Sequence, residues 1–492
     1  MIPVLLIVIP LLAGLVSFFI KDEKLVKAWS LLAAIGVAVV SILGLTVLKD
    51  AKWLSHSSAW MQPLGSSFSV KLDGMGQLLC LLNAIAFPLI FIATWHNSYK
   101  RTNQFYALML LAQAGMMGVF VAMDALLFYF FWELALIPMY FLCSIWGGEK
   151  RIRVTFKFFI YTFLGSILML IGIIYLQTKT PDQSFSIESF YKLGQTGFNN
   201  TMIFWFFFAA FAIKMPIFPL HTWQPDAYEQ SPTPATMVLS GVMVKMGLLG
   251  LLRWLLPVLP NNANAWSDAI PPLALAGLIY ASLIAIRQDD IKRLVAYSSI
   301  AHIGLMCASA FTFTKYGTQG VMIQMFAHGV NIIGMWILVD IIERRYGTRK
   351  ISELGGLAQQ APATVLFFVI IALANIALPL TNAFVGEFLM FNGLMNAHPA
   401  QLFFKYWWIV MAGMGIILGA VYTLNLIRKV FYGERHKTLA VEGGDLRLNE
   451  KVALSIIVIL IFWFGICPQS MLNLTESTSQ AIIDLVTFKG KH

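Results

Sequence analysis

AIKMPIFPLHTW, residues 212–223, sets Lys214 just ahead of Pro216 and Pro219 and directly behind the apolar run TMIFWFFFAAF. An ammonium group in hydrocarbon costs about 2.5 to 3.5 kcal/mol on an insertion scale, so Lys214 must face protein or water rather than lipid. Pro216 has no backbone N–H and its ring obstructs the preceding turn, which frees carbonyls near Lys214. Freed polar groups at membrane depth are tolerated only beside protein or a water-lined cavity. The stretch therefore predicts a membrane helix broken at its prolines, with a wet, polar pocket around the ammonium group.

The rest of the chain fits that setting. Of its 492 residues 59% are hydrophobic and 12% charged, against about a quarter charged in soluble domains, and the mean hydropathy is +0.75. Taking roughly 20 apolar residues per crossing, the sequence reads as an all-α polytopic membrane protein of about fourteen transmembrane helices. The spans expected are 2–20, 25–48, 76–97, 105–123, 124–146, 153–177, 201–220, 234–259, 268–287, 293–313, 318–343, 363–396, 404–430 and 450–470. The first, MIPVLLIVIPLLAGLVSFFI, lacks a basic leader and a small-residue cleavage site and reads as a retained span.

The net charge of +10 does not indicate nucleic acid, because the basic residues sit in connections between spans. Lys150, Arg151, Arg153, Arg344, Arg345 and Arg349 follow odd-numbered spans, which places both termini on the outer (periplasmic) side of a cytoplasmic membrane. The closing KGKH runs mildly against this assignment. Cys80, Cys143, Cys307 and Cys467 lie in or beside apolar segments without metal-ligand spacing and read as packing residues. No phosphate loop, nucleophile elbow or HExxH motif is present, so hydrolysis has no candidate residues.

A second interrupted span, ANIALPLTNAFVGEF around Pro379, lies five spans after the first. That pairing predicts two inverted five-helix repeats, spans 4–8 and 9–13, with helices 7 and 12 broken. The organisation expected is a three-helix segment (1–104), two half-channels (105–259 and 268–432) and a C-terminal helix with its tail (450–492). The connection HTWQPDAYEQSPTP, residues 221–234, carries Asp226 and Glu229 without Lys or Arg and reads as a re-entrant corner packed in protein.

Four ionisable residues fall deep in apolar segments: Glu133 in LLFYFFWELALIPMY, Lys214, Lys245 in LSGVMVKMGLLGLL and Glu387 in NAFVGEFLMF. Two acids and two bases could simply be ion pairs that glue helices together. Membrane packing, however, is available from Gly and Ala, as the GxxxG of Gly415 and Gly419 illustrates, so costly charges point to a proton path. A carboxylate's charge sets how tightly a neighbouring lysine holds its proton. His302 in AYSSIAHIGL, near Tyr297, Ser298 and Ser299, and His328 in QMFAHGVNIIG read as relay stations, since imidazole titrates near neutral pH. His221 beside the proline corner reads as structural or as the mouth of a pathway. His56, His96, His398, His436 and His492 lie near span ends or in loops and receive no role.

The strings FWELALIPMY, FAIKMPIFPLHTWQPDAYEQSPTPATMVLSGVMVKMG, QDDIKRLVAYSSIAHIG, QMFAHGVNIIG and NAFVGEF resemble the antiporter-like subunits of respiratory complex I and of multisubunit Na+/H+ antiporters. The resemblance covers spans four to thirteen. Its charge pattern falls on Glu133, Lys214, Lys245 and Glu387; most members carry lysine at the last position, whereas M-type members carry glutamate. It implies one proton channel driven by quinone reduction elsewhere in a complex, with Glu133 modulating Lys214, Lys245, His302 and His328 carrying the proton across, and Glu387 releasing it. It further implies no cofactor in this chain, with quinone, NADH, FMN and iron–sulfur clusters in other subunits. Partners would be the L- and N-type antiporter-like subunits and the bilayer. A cation/proton antiporter subunit, or the membrane arm of a hydrogenase or ferredoxin-linked complex, would share most of these residues.

Overall fold

Seven of the described α-helices start where a short polar side chain accepts from a free amide of the first turn. The computed structural model describes residues 1–397, 402–434 and 445–487; His398, His436, His492 and the KGKH end lie outside them. After α1 (Ile2–Ser17), Asp22 accepts from the Leu25 amide at 2.7 Å to open α2 (Glu23–Thr46). A short α3 (Ala51–Leu54) leads into a β-hairpin, and Asp73 then caps α4 (Gly74–Ala93). α5 (Thr102–Val121) is followed by α6 (Ala125–Trp146), capped by Asp124, then by α7 (Arg151–Lys179) and α8 (Ile187–Gln195). Asn200 caps α9 (Thr201–Lys214), and α10 (Gln224–Gln230) follows the proline corner.

α11 (Thr233–Val238) and α12 (Val244–Leu249) belong to one rod with π-helical turns at Leu239–Met243 and Gly250–Leu255. α13 (Pro260–Trp266) and α14 (Ile270–Arg287) come next. Asp290 caps α15 (Ile291–Ala310), and Thr314 caps α16 (Lys315–Tyr346), which stops at Gly347 with φ +67°. The last elements are α17 (Pro362–Asn375), α18 (Asn382–Met395), α19 (Leu402–Phe431), α20 (Leu448–Ile466) and α21 (Gln469–Val486).

Ten helices among the described residues are long and apolar enough to cross a membrane. Two of them, the Thr233–Leu255 rod and α16, are buried along their whole hydrophobic length, whereas α2, α19 and α20 bury only about a third of theirs or less. A helix apolar on every side must be enclosed. The two enclosed helices carry Lys245 and His328 through the middle of the molecule.

Three expectations need correction. The chain is not all-α: Ser55–Ala59 and Ser67–Lys71 pair antiparallel, with Ser57 opposite Ser69. The alternation in SFSVK buries Val70 and turns Lys71 outward, as one face of a strand requires. The segment after the last apolar run is not a bare tail but α21, which buries Met471, Thr475, Ser479, Ile482 and Val486 at helical spacing. Cys467, expected to pack, is exposed at the end of α20, whereas Cys80, Cys143 and Cys307 are buried free thiols.

Several local arrangements occur twice. The N-cap residue of α6, Asp124, forms an isolated bridge to Ser186 after α7, and that of α15, Asp290, forms one to Lys350 after α16. α9 and α17 each run 14 residues before a break. Past each break an amide reaches back five residues, Ile217 to the Ala212 oxygen and Leu378 to the Leu373 oxygen, both at 3.1 Å.

Candidate functional site

The break after Lys214 is capped by protein. Trp223 Nε1 donates to the Ile213 carbonyl at 3.0 Å, and the Ile217 amide takes the Ala212 carbonyl. The freed carbonyls expected to make a wet pocket are thus claimed by an indole and a backbone amide. The second break is capped alike: Asn331 Nδ2 donates to the Ala374 oxygen at 3.1 Å. HTWQPDAYEQSPTP does turn inside protein, with Trp223, Gln224, Pro225, Ala227 and Tyr228 buried.

Lys214 is the last residue of α9, 2% exposed, and its Nζ has no hydrogen-bond partner among the described residues. It lies 5.2 Å from the centroid of the Trp132 ring, whose π-face attracts a cation. Glu133, the next residue on α6, makes no ion pair with Lys214 within 4 Å. Glu133 Oε1, like Lys214 Nζ, is buried without a hydrogen-bond partner among the described residues.

Lys245 follows the first π-helical turn, a wide turn of the kind that recurs at functional positions. Its fully buried side chain folds back to donate to the Ser240 carbonyl at 2.8 Å and meets His328 Nδ1 at 2.8 Å. When Lys245 is an ammonium, Nδ1 is the acceptor and His328 carries its proton on Nε2. The rings of His328 and His302 lie 5.5 Å apart, and both Nε2 atoms are buried without a hydrogen-bond partner among the described residues. His302 Nδ1 is 3.4 Å from Glu387 Oε1. Gly386 lets α18, which carries Glu387, lie close against α16: a Cβ at Gly386 would stand 2.5 Å from Gln324 Oε1 and 2.9 Å from the Gln324 backbone nitrogen.

Four of the six sequence-predicted residues thus form a contiguous series, Lys245–His328–His302–Glu387. Glu133 and Lys214 form a separate pair. Between Lys214 and Lys245 no hydrogen bond runs among the described residues, but the backbones touch: a Cβ at Gly247 would stand 2.8 Å from the Phe211 oxygen and 2.9 Å from the Met215 amide. His221 stays outside the series, with Phe218 and Tyr280 rings at 5.7 and 5.4 Å. Gly415 of the GxxxG pair does pack tightly, on Leu278, whereas the nearest atom to a Cβ at Gly419 is the Tyr422 hydroxyl at 3.7 Å.

Sequence reasoning left Asp226 without a role. It belongs to an ion network at one end of the bundle, where Lys157 reaches it at 2.9 Å and Arg293 at 3.2 Å. Arg293 also binds Glu229 at 2.7 Å, and Arg349 binds Glu229 at 2.8 Å and Asp290 at 2.6 Å. Burial holds the Asp290 carboxyl, at the foot of α15, above the usual range despite the pull of Arg349. The network ties α7 and α10 to α15 and the segment after α16. The signal for it was visible in HTWQPDAYEQSPTP, whose acids have no local base.

The profile of the family described as NADH:quinone oxidoreductase/Mrp antiporter, transmembrane, matches residues 122–414. A Rickettsia prowazekii protein named NADH-quinone oxidoreductase subunit M is 36% identical over 416 residues, 84% of this chain and 83% of that protein. The F(420)H(2) dehydrogenase subunit M of Methanosarcina mazei is 33% identical over 507 aligned positions, spanning both chains fully. Among solved structures, a chain of respiratory complex I from Thermus thermophilus superposes with a TM-score of 0.89 at 25% identity, covering 99% of this chain and 100% of that one.

Proposed function

The chain belongs to the NADH:quinone oxidoreductase/Mrp antiporter transmembrane family, and from that premise we propose that it is a proton-translocating membrane-arm subunit of an NADH-quinone oxidoreductase. The observation that carries this reading is the buried series from Lys245 through His328 and His302 to Glu387. A structural ion pair needs two partners of opposite sign; here a base, two imidazoles and an acid stand in line. Protons enter the exchange at Lys214 under the field of Glu133, cross by Lys245 and the two histidines, and leave by Glu387.

The repeated bridges and break caps support two five-helix halves in opposite orientation, and the three shorter apolar helices together with α15 bring the ten long spans to fourteen. In this reading both termini face the periplasm of a bacterial cytoplasmic membrane, and L- and N-type subunits flank the chain. NADH, FMN, iron–sulfur clusters and quinone are bound by other subunits, whose redox chemistry drives the series.

The test is Lys214→Ala and Glu133→Ala in the intact complex, reconstituted in vesicles. Either variant should abolish proton pumping and strongly lower coupled quinone reduction while the complex remains assembled. Pumping at the normal rate in both would overturn the reading. A second electron donor has one observation in its favour, the end-to-end match to the M. mazei subunit. Purification of the native complex decides between them: NADH-oxidising flavin subunits support the first, and F420-oxidising subunits the second.

A further inference from the structure

Behind His302 and Glu387 the structure holds a second polar cluster that the series above does not use. Tyr422 on α19 donates to Ser298 Oγ at 3.0 Å, and Asn375, at the break after α17, donates to the same oxygen at 3.2 Å. Tyr422 and Ser298 are buried and Asn375 is 6% exposed. Two cavities meet at Tyr422. One is lined by His302, Glu387 and Tyr422, and the other by Ser298, Asn375, Tyr422 and Leu294. Each has room for about one water molecule.

The direction of this cluster follows from the helices that carry it. Ser298 lies one turn from His302 on α15, toward Asp290, and at about 1.5 Å per residue Asp290 is some 12 Å further along. Met335 of α16 and Leu426 of α19 line the far cavity, nearer the C-terminal ends of those helices. The Asp290–Lys350 bridge brings the starting end of α15 beside the end of α16. The cavity pair therefore leads from Glu387 toward the bundle end that holds Arg293, Asp290 and Arg349.

We propose that Tyr422 and Ser298 form a hydroxyl wire, oriented by Asn375, that connects the His302–Glu387 end of the series to the face carrying Asp290 and Arg349. This gives the second half of the molecule its own opening to that face. For uptake, with the two hydroxyls turned, water in the second cavity gives a proton to Ser298 as Ser298 gives its own to the Tyr422 oxygen, and Tyr422 gives its own to water in the first cavity. One proton enters and one leaves, and rotation of the two hydroxyls resets the wire. Asn375 is a positioning residue: its N–H occupies one lone pair of Ser298 and so restricts where the hydroxyl points.

The inference rests on the proton-translocating reading, and the experiment separates the two. Intact complex carrying Tyr422→Phe, Ser298→Ala, Ser298→Thr or Glu387→Gln is reconstituted, and proton uptake per electron is measured in H2O and D2O. Tyr422→Phe keeps the ring and removes only the oxygen, and transfer through the branch should slow by about 10²-fold or more. The expected result is lowered uptake with Tyr422→Phe and Ser298→Ala, a solvent isotope effect altered from wild type, and recovery with Ser298→Thr, which keeps the hydroxyl. Normal uptake in Tyr422→Phe with lowered uptake in Glu387→Gln would overturn the wire and leave the functional reading standing. Normal uptake in all four would overturn both. If Tyr422→Phe fails to assemble, the Ser298 pair decides: equal loss in Ala and Thr variants counts against the wire.

Discussion

Glu387→Gln keeps the size of the side chain and removes its charge, so it isolates what the carboxylate does for His302. The two groups stand 3.4 Å apart, with side chains 11% and 7% exposed, so salt screens them little. At an effective dielectric of about 20, two unit charges at that distance attract by about 5 kcal/mol. Without the carboxylate, a positive charge at His302 loses that attraction. Since about 1.4 kcal/mol is tenfold in a rate, a transfer that passes through the imidazolium slows on the order of 10³-fold. The assay is turnover and proton uptake by reconstituted complex, in wild type, Glu387→Gln, His302→Asn and the double variant. Because the two residues act on one step, the double variant should be no slower than His302→Asn alone. Independent, multiplying losses would refute direct coupling between His302 and Glu387, and unchanged turnover in Glu387→Gln would refute a charged His302 on the path.

Trp223→Phe leaves the buried Ile213 carbonyl without its donor, which should cost about 1 to 3 kcal/mol; thermal denaturation of the purified complex, followed by loss of this subunit, should shift downward. Gly118→Ala on α5 would set its Cβ 2.1 Å from the Phe131 ring. This overpacking beside Glu133 should destabilise by about 1 to 3 kcal/mol, read as a lower assembly yield at raised temperature than for Gly36→Ala, whose Cβ meets open space.

The charged residues were legible because each is expensive where it stands. Glu133, Lys214, Lys245 and Glu387 interrupt apolar runs, and a charge in such a run must have protein or water to face. Their order of contact was not legible. That Lys245 meets His328, 83 residues away, depends on how the two enclosed helices pack. Proline chemistry located both interruptions but not their hydrogen bonds, since an amide past each helix end takes a carbonyl five residues back. It could not foresee that Trp223 would supply the remaining donor, because that depends on the fold of the corner. The hairpin escaped notice because its two strands are five residues each and half serine. α21 escaped for a related reason: Thr475 and Ser479 occupy its buried face, which hydropathy alone reads as polar.

The two broken helices share a cap geometry but not a charge, and the difference bears on direction in the proposed relay. The last residue of α9 is Lys214, at the negative end of the helix dipole, which favours a cation. The last residue of α17 is Asn375, which is neutral, and the acid of that half lies beyond the break at Glu387. Moving a proton from one amine or imidazole to the next carries a positive charge along. Moving it from imidazolium to carboxylate removes two opposite charges from a low-dielectric interior. That neutralisation relieves the burial cost of both groups but forfeits their attraction of about 5 kcal/mol, so the two effects oppose, whereas re-ionising Glu387 beside a neutral His302 restores a buried charge with no such attraction. In the proposed relay, energy delivered by the rest of a complex is therefore needed where Glu387 gives up its proton.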